Sequence, residues 1–376
     1  MTLVYLVAGE ASGDVLGSRL MAALRRARPG LEFAGVGGAR MAEQGFASLF
    51  PLADLAVMGL AEVLPRLASL RRRLGEVGAD LARRRPSVVV TIDSPGFTLR
   101  VLKQAAALGL RRVHYVAPQV WAWREHRVRE FPGLWDRLLC LLPFEPAFFA
   151  RYGLEARFVG HPVLESGADR GDGARFRAVH GLGDERVVVL MPGSRRSEVP
   201  RLLPVFGELV RRLPGGVIPV VPVSAVVGER VRRAAAEWAV RPIVVEGVDG
   251  KHDAFAAASA ALSKSGTSTL ELALAGVPMA VTYRVNPMTA MVARRLIRVR
   301  YAAMVNLLAG RGLVPELLQE ACNGPALAAV LETLGDPAVA AAQRAGFREI
   351  MAQLQAPMGL PSDAAAREVL EVLDQT

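Results

Sequence analysis

Two cysteines, Cys140 and Cys322, are too few and too far apart for a disulfide scaffold or for the paired spacing of a zinc site. They fit a reducing compartment. The five histidines, His114, His126, His161, His180 and His252, form no ligand pattern either, so no metal is expected. Aromatic residues make up only 6%, which leaves the core to be built from Ala, Leu and Val. No run reaches the ~18 apolar residues that a membrane-spanning helix needs. The opening Thr2–Ala8 lacks a basic flank and runs straight into a glycine turn, so it reads as a first β-strand and not as a signal peptide. The expectation is a cytoplasmic chain whose membrane contact is peripheral. Gly9, Gly13 and Gly17 do not follow the G-x-G-x-x-G spacing, and no Gly-Lys-Ser/Thr follows them. A dinucleotide fingerprint and a P-loop are therefore both missing, and no cofactor is indicated.

What is present is basic charge and a repeating α/β pattern. Lys and Arg number 46 against 36 Asp and Glu, a net charge of +10 that favours anionic partners such as phosphates or acidic lipid head groups. No nucleic-acid-binding motif accompanies it, so no nucleic acid partner is expected. The 376 residues suggest two domains. Strand-like runs (Leu3–Ala8, Phe33–Val36, Ser87–Ile92, Arg112–Val116, Leu138–Leu142, Ala156–Val159) alternate with helical stretches, among them Gly13–Ala27 and Leu60–Arg84. The polar, glycine-rich Glu165–Gly173 reads as a linker. A second series follows with strands at Val187–Met191, Val217–Val223, Pro242–Val245, Ala260–Ser263 and Pro278–Thr282, and from about Asn306 the chain reads as helical to the end. This predicts an α/β fold of two Rossmann-like, doubly wound parallel-sheet domains facing across a cleft, at 1–165 and 174–350. A last helix at about 355–376 packs back on the first.

In open parallel sheets, ligands bind beyond the carboxyl ends of the strands, so the turns there are the candidate sites. Gly9-Glu10-Ala11-Ser12-Gly13-Asp14 follows the first strand. Its carboxylates would repel a diphosphate but suit sugar hydroxyls, and Ser12 is a candidate helix N-cap. Asp93, in Ile92-Asp93-Ser94-Pro95-Gly96-Phe97, either serves as a general base or pins the turn and caps the next helix. Pro192-Gly193-Ser194-Arg195 and Ser265-Gly266-Thr267 combine exposed amides, hydroxyls and an arginine, as anion sites do. Glu271 could bind ribose hydroxyls. Trp121 and Trp123 read as core aromatics. The Arg-rich apolar stretches Leu60–Leu74 and Met288–Arg300 fit interfacial helices or ordinary surface helices.

Taken in order, these segments resemble the lipid-A-disaccharide synthase family. The resemblance rests on Gly-Glu-Ala-Ser-Gly-Asp at 9–14, Ala-Val-Met-Gly at 56–59, Ile-Asp-Ser-Pro-Gly-Phe at 92–97 and His-Tyr-Val-Ala-Pro-Gln-Val-Trp-Ala-Trp-Arg at 114–124. It continues with Leu-Pro-Phe-Glu at 142–145, Phe-Val-Gly-His-Pro at 158–162, Pro-Gly-Ser-Arg at 192–195, Ser-Gly-Thr at 265–267 and Asn-Leu-Leu-Ala-Gly-Arg at 306–311. The family implies a GT-B glycosyltransferase that condenses UDP-2,3-diacylglucosamine with 2,3-diacylglucosamine 1-phosphate into a β(1→6) disaccharide, with inversion and without a metal. It implies Asp93 as base with Glu10 beside it. Gly193, Ser194, Arg195, Ser265, Gly266, Thr267, Glu271 and Asn306 would stand on the UDP side, and Ser12, Gly13, Asp14 and Trp123 on the acceptor side. Family members bind the inner membrane surface peripherally, and a homodimer is left open. The alternative on the same architecture is a UDP-sugar 2-epimerase.

Overall fold

The computed structural model describes residues 2–375 except 56–59, 197, 287–289 and 292–298, and only the backbone of 60–67. The chain divides into two compact units. The first is Met1–Pro162 with Leu354–Thr376, and the second is Val163–Gln353.

The first unit is a six-stranded parallel sheet in the order β2-β1-β3-β4-β5-β6. Its strands are β1 (Leu3–Ala8), β2 (Glu32–Val36), β3 (Val88–Ile92), β4 (Arg112–Tyr115), β5 (Arg137–Cys140) and β6 (Ala156–Phe158). β3 reads Val-Val-Val-Thr-Ile and is buried throughout, as a central strand covered on both faces must be. Alternation does the covering. Val4, Leu6 and Ala8 of β1 pack with Leu16, Leu20 and Leu24 of the helix Ala11–Ala27 and with Ala365 and Val369 of the helix Pro361–Asp374. Tyr5 and Val7 face the other way, toward Val77 and Leu81 of the helix Leu60–Arg84 and Phe97 and Val101 of the helix Pro95–Ala107.

The final helix is also fixed at its charged residues. Arg28 makes a two-pronged pair with Asp374, at 2.8 and 2.5 Å. The largely buried Arg137 of β5 reaches Glu368 at 2.6 Å.

The second unit repeats the plan in the order β12-β11-β10-β7-β8-β9, again all parallel. Its strands are β7 (Arg186–Met191), β8 (Val217–Val223), β9 (Ile243–Glu246), β10 (Ala258–Lys264), β11 (Met279–Tyr283) and β12 (Glu316–Leu318). One face is filled by Val188, Leu190 and Leu262 against Leu202, Phe206 and Leu209 of the helix Val199–Val210 and Leu327 and Leu331 of the helix Gly324–Thr333.

The fold is thus α/β with two Rossmann-like parallel sheets. Two local expectations are corrected. The chain beyond Asn306 is not helical throughout, because Glu316–Leu318 adds the edge strand β12 beside β11. The first helix opens at Ala11, not Gly13, and its N-cap is Glu10, so Ser12 is not the cap. The stretch 56–59 and most of 288–300 lie outside the described residues.

Candidate active site

Strand order decides where a site can form. In the first sheet the chain runs from β1 to one side and then returns to the other, so β1 and β3 flank the switch point. In the second sheet β7 and β10 do the same. A crevice opens beyond the strand ends at such a point, because the connections on either side leave in opposite directions. The four turns that stand out in the sequence are those that follow β1, β3, β7 and β10.

At the first switch point Ala8 lies beside Ile92, so the Gly9–Gly13 and Asp93–Gly96 turns emerge together. Gly9 N–H donates to Ile92 O at 3.3 Å, and a methyl at Gly9 would lie 2.1 Å from Ser94 Cβ. Only glycine permits that approach. Gly13 also keeps the backbone close, since a methyl there would come within 3.2 Å of Ile92 O. Asp93 and Ser94 both take left-handed backbone angles, with φ of 55° and 46°. Two consecutive non-glycine residues in that region cost about 1–2 kcal/mol each. The turn is held from several sides. Asp93 N–H donates to Tyr115 O at 2.9 Å, and the Thr98 hydroxyl donates to Asp93 O at 2.6 Å.

The Asp93 carboxylate accepts from Ser94 N–H at 2.6 Å through Oδ1, and Oδ2 lies 3.2 Å from the Ser12 hydroxyl. That hydroxyl is also 2.9 Å from Glu10 Oε1. One hydroxyl proton serves two carboxylates, so a proton retained on Asp93 would complete the set. Half-burial, and secondly the Glu10 charge, push the Asp93 pKa up to about 6. A carboxylate raised toward neutral pH at a sheet switch point is a ready proton acceptor.

Asp14 does something else. It is 5% exposed, and its oxygens accept from the N–H groups of Gly38 (2.7 Å), Arg40 (2.9 Å) and Met41 (3.1 Å). The carboxylate caps the short helix Ala39–Ala42 from a distance, a structural duty beside its expected place on the acceptor side. Trp123 is 43% exposed with the Arg124 guanidinium 3.8 Å over its ring, so it is not a core residue. Trp121, half-buried, donates through Nε1 to the buried Glu145 at 3.0 Å. Glu145 also accepts from Leu141 and Leu142 N–H, and burial pushes its pKa up to about 7. It ties the Trp-Ala-Trp segment to the end of β5.

At the second switch point Ser263 pairs with Met191, which brings the Gly193–Arg195 and Ser265–Thr267 turns side by side. Gly193 has φ of 102°, a conformation that favours glycine. Arg195 and Ser194 are exposed, and Arg195 lies 3.2 Å from Glu198. Gly266 and Thr267 are exposed, and the Ser265 hydroxyl donates to Ala302 O at 2.6 Å. Glu271 accepts from Lys251 at 2.7 Å.

Asn306, expected on the UDP side, makes its hydrogen bonds to the chain at 314 and 316. It is 1% exposed, with Nδ2 donating to Val314 O and Glu316 Oε1 and Oδ1 accepting from Val314 N–H. Its amide fastens the helix Met304–Ala309 to β12. Sequence reasoning misses Lys264 and Glu198. Both adjoin the two anion-type turns, but their 3.0 Å pairing joins residues far apart in sequence.

The fold and these turns define the protein's class: the architecture is the GT-B-like one found in sugar-nucleotide epimerases and glycosyltransferases. Solved structures sharing it include the MnaA–UDP complex of S. aureus (TM-score 0.64, 14% identity, 98% of this chain and 95% of that one). Another is the spinosyn rhamnosyltransferase SpnG (TM-score 0.58, 16% identity, 99% and 100%). At such identities the likeness shows fold alone. The sequence is more specific. The Lipid-A-disaccharide synthetase family model matches residues 4–362. The lipid-A-disaccharide synthase of Granulibacter bethesdensis is 59% identical over 99% of both chains, and that of Gluconobacter oxydans 58% identical over 99% of this chain and 91% of the relative. The chain belongs to the lipid-A-disaccharide synthase family. It is a glycosyltransferase of lipid A biosynthesis that uses a UDP-sugar donor and a sugar acceptor. Among the described residues, no helix is long and apolar enough to cross a membrane.

Proposed function

We propose that the enzyme transfers 2,3-diacylglucosamine from its UDP conjugate to the 6-hydroxyl of 2,3-diacylglucosamine 1-phosphate in one inverting displacement. The acceptor oxygen bonds to the donor C1, the C1–oxygen bond to UDP breaks, and the hydroxyl proton passes to Asp93. The observation that carries this is the Asp93 carboxylate, raised to about 6 at the switch point of the first sheet. Glu10 supports its basicity by charge, and Ser12 orients it through the 3.2 Å hydrogen bond. Gly13 keeps the turn compact, and Trp123 contributes an exposed aromatic face to the acceptor side.

On the donor side, the Gly193–Arg195 and Ser265–Thr267 turns hold the diphosphate and Glu271 the ribose. Arg195 neutralises charge on the leaving UDP in place of a divalent metal. Both substrates carry acyl chains, so the enzyme works peripherally at the cytoplasmic face of the inner membrane. The net charge of +10 and the exposed Trp123–Arg124 pair support that contact.

Incubation with both acylated substrates tests the reading. One UDP released per β-linked disaccharide is expected, with a raised KM for donor in Arg195→Ala. Release of UDP without disaccharide, or an α-linked product, would refute it. Flotation with anionic vesicles at low and high salt tests the membrane contact, and no flotation at low salt would count against it.

A further inference from the structure

Lys264 ends β10, and its side chain is only 14% exposed. The stem runs beneath the neighbouring turn: a methyl at Gly193 would lie 3.6 and 3.7 Å from Lys264 Cγ and Cδ. A methyl at Gly266 would lie 4.0 Å from its ammonium nitrogen. The ammonium therefore stands between the turns after β7 and β10, and it is approached from each side by a glycine. Glu198 Oε1 accepts from this ammonium at 3.0 Å and from Arg195 at 3.2 Å, so two cations share one carboxylate. The Tyr283 ring, 5.3 Å away, screens the group. Burial, and Arg195 to a smaller extent, lower the lysine's pKa while Glu198 opposes them. Three charged groups with a net charge of +1 sit between turns whose glycines, Gly193 and Gly266, place no side chain over the pair. A salt bridge kept only for stability has no need of either feature, because buried pairs add little net stability.

We propose that Lys264 binds the donor's diphosphate and that Glu198 occupies the phosphate position until a nucleoside diphosphate displaces it from the ammonium. Two positive side chains then face two phosphate charges, and the freed carboxylate turns away from them. The inference rests on the reading above that UDP binds at these turns.

Calorimetric titration of the full-length protein with UDP, alongside ligand-observed NMR with uridine, tests it. Lys264→Met is expected to weaken UDP about tenfold or more while changing uridine less than about twofold, and Lys264→Arg to recover most of the loss. Glu198→Gln should tighten UDP by roughly three- to tenfold, a gain that misfolding cannot mimic. Equal UDP affinity in the wild type and Lys264→Met, or parallel loss of UDP and uridine, would overturn the assignment. So would a Glu198→Gln variant with unchanged or weaker UDP binding, the behaviour of a purely structural pair. A wild-type protein that takes up no UDP would instead overturn the donor-site reading beneath it.

Discussion

Replacing Asp93 by Asn should make the protein more stable and nearly inactive. The amide keeps the shape of the carboxylate: its oxygen can still accept from Ser94 N–H, and its NH2 can donate to the Ser12 oxygen or toward Glu10. What disappears is the charge. Asp93 rises from an ordinary 3.8 to about 6 in the fold, because burial and Glu10 both disfavour its ionised form. The folded state therefore holds this proton more tightly than the unfolded chain does. The ionised side chain costs stability progressively as pH rises from about 4 to about 6, and the full cost remains above that range. Two units correspond to about 3 kcal/mol, an upper limit for a half-buried group. Denaturant unfolding followed by circular dichroism should show Asp93→Asn ahead of the wild type by up to about 3 kcal/mol at pH 7.5, with the gap closing toward pH 4.5. Turnover should fall by roughly 10²–10⁴ with UDP affinity preserved. A variant no more stable than wild type at pH 7.5, or a gap that does not vary with pH, would refute the account of the raised pKa.

Three other outcomes are expected. Glu10→Gln removes a like charge that shares the Ser12 hydroxyl with Asp93, so the acidic limb of kcat/KM should move to lower pH by about half a unit to two units, and an unmoved limb would dissociate the pair. Asp14→Ala strips three N–H groups of their acceptor and should cost about 2–4 kcal/mol in unfolding experiments; a neutral result would refute the capping role. Gly9→Ala drives a methyl to within 2.1 Å of Ser94 Cβ and should depress kcat while UDP still binds, whereas wild-type kcat would show that the turn tolerates displacement.

Much of the fold is legible in the sequence because the central strands are continuous buried runs. Val88–Ile92 and Val187–Met191 announce themselves by composition alone. β12 does not: it has three residues, half-exposed Glu316 among them, and becomes a strand only by pairing with Val281–Tyr283. The four turns are legible because glycine, proline and small hydroxylated residues mark them locally. What their side chains bind is not. Asp14 finds its partners at 38–41, Asn306 at 314 and 316, and Lys264 at 198, all positions that a local reading cannot join. Ser12 reads as a cap because Ser favours that position. In the fold two carboxylates compete for its hydroxyl instead.

The helix Pro361–Asp374 has a consequence for synthesis on the ribosome. The unit that begins first is completed last, since Val163–Gln353 must be translated before that helix can cover the sheet. At roughly 5–20 residues per second this leaves Val4, Leu6 and Val90 without their final cover for about 10–40 s, an interval in which a chaperone could shield that face. The unit carrying Asp93 therefore matures only after the polypeptide of the other unit has emerged.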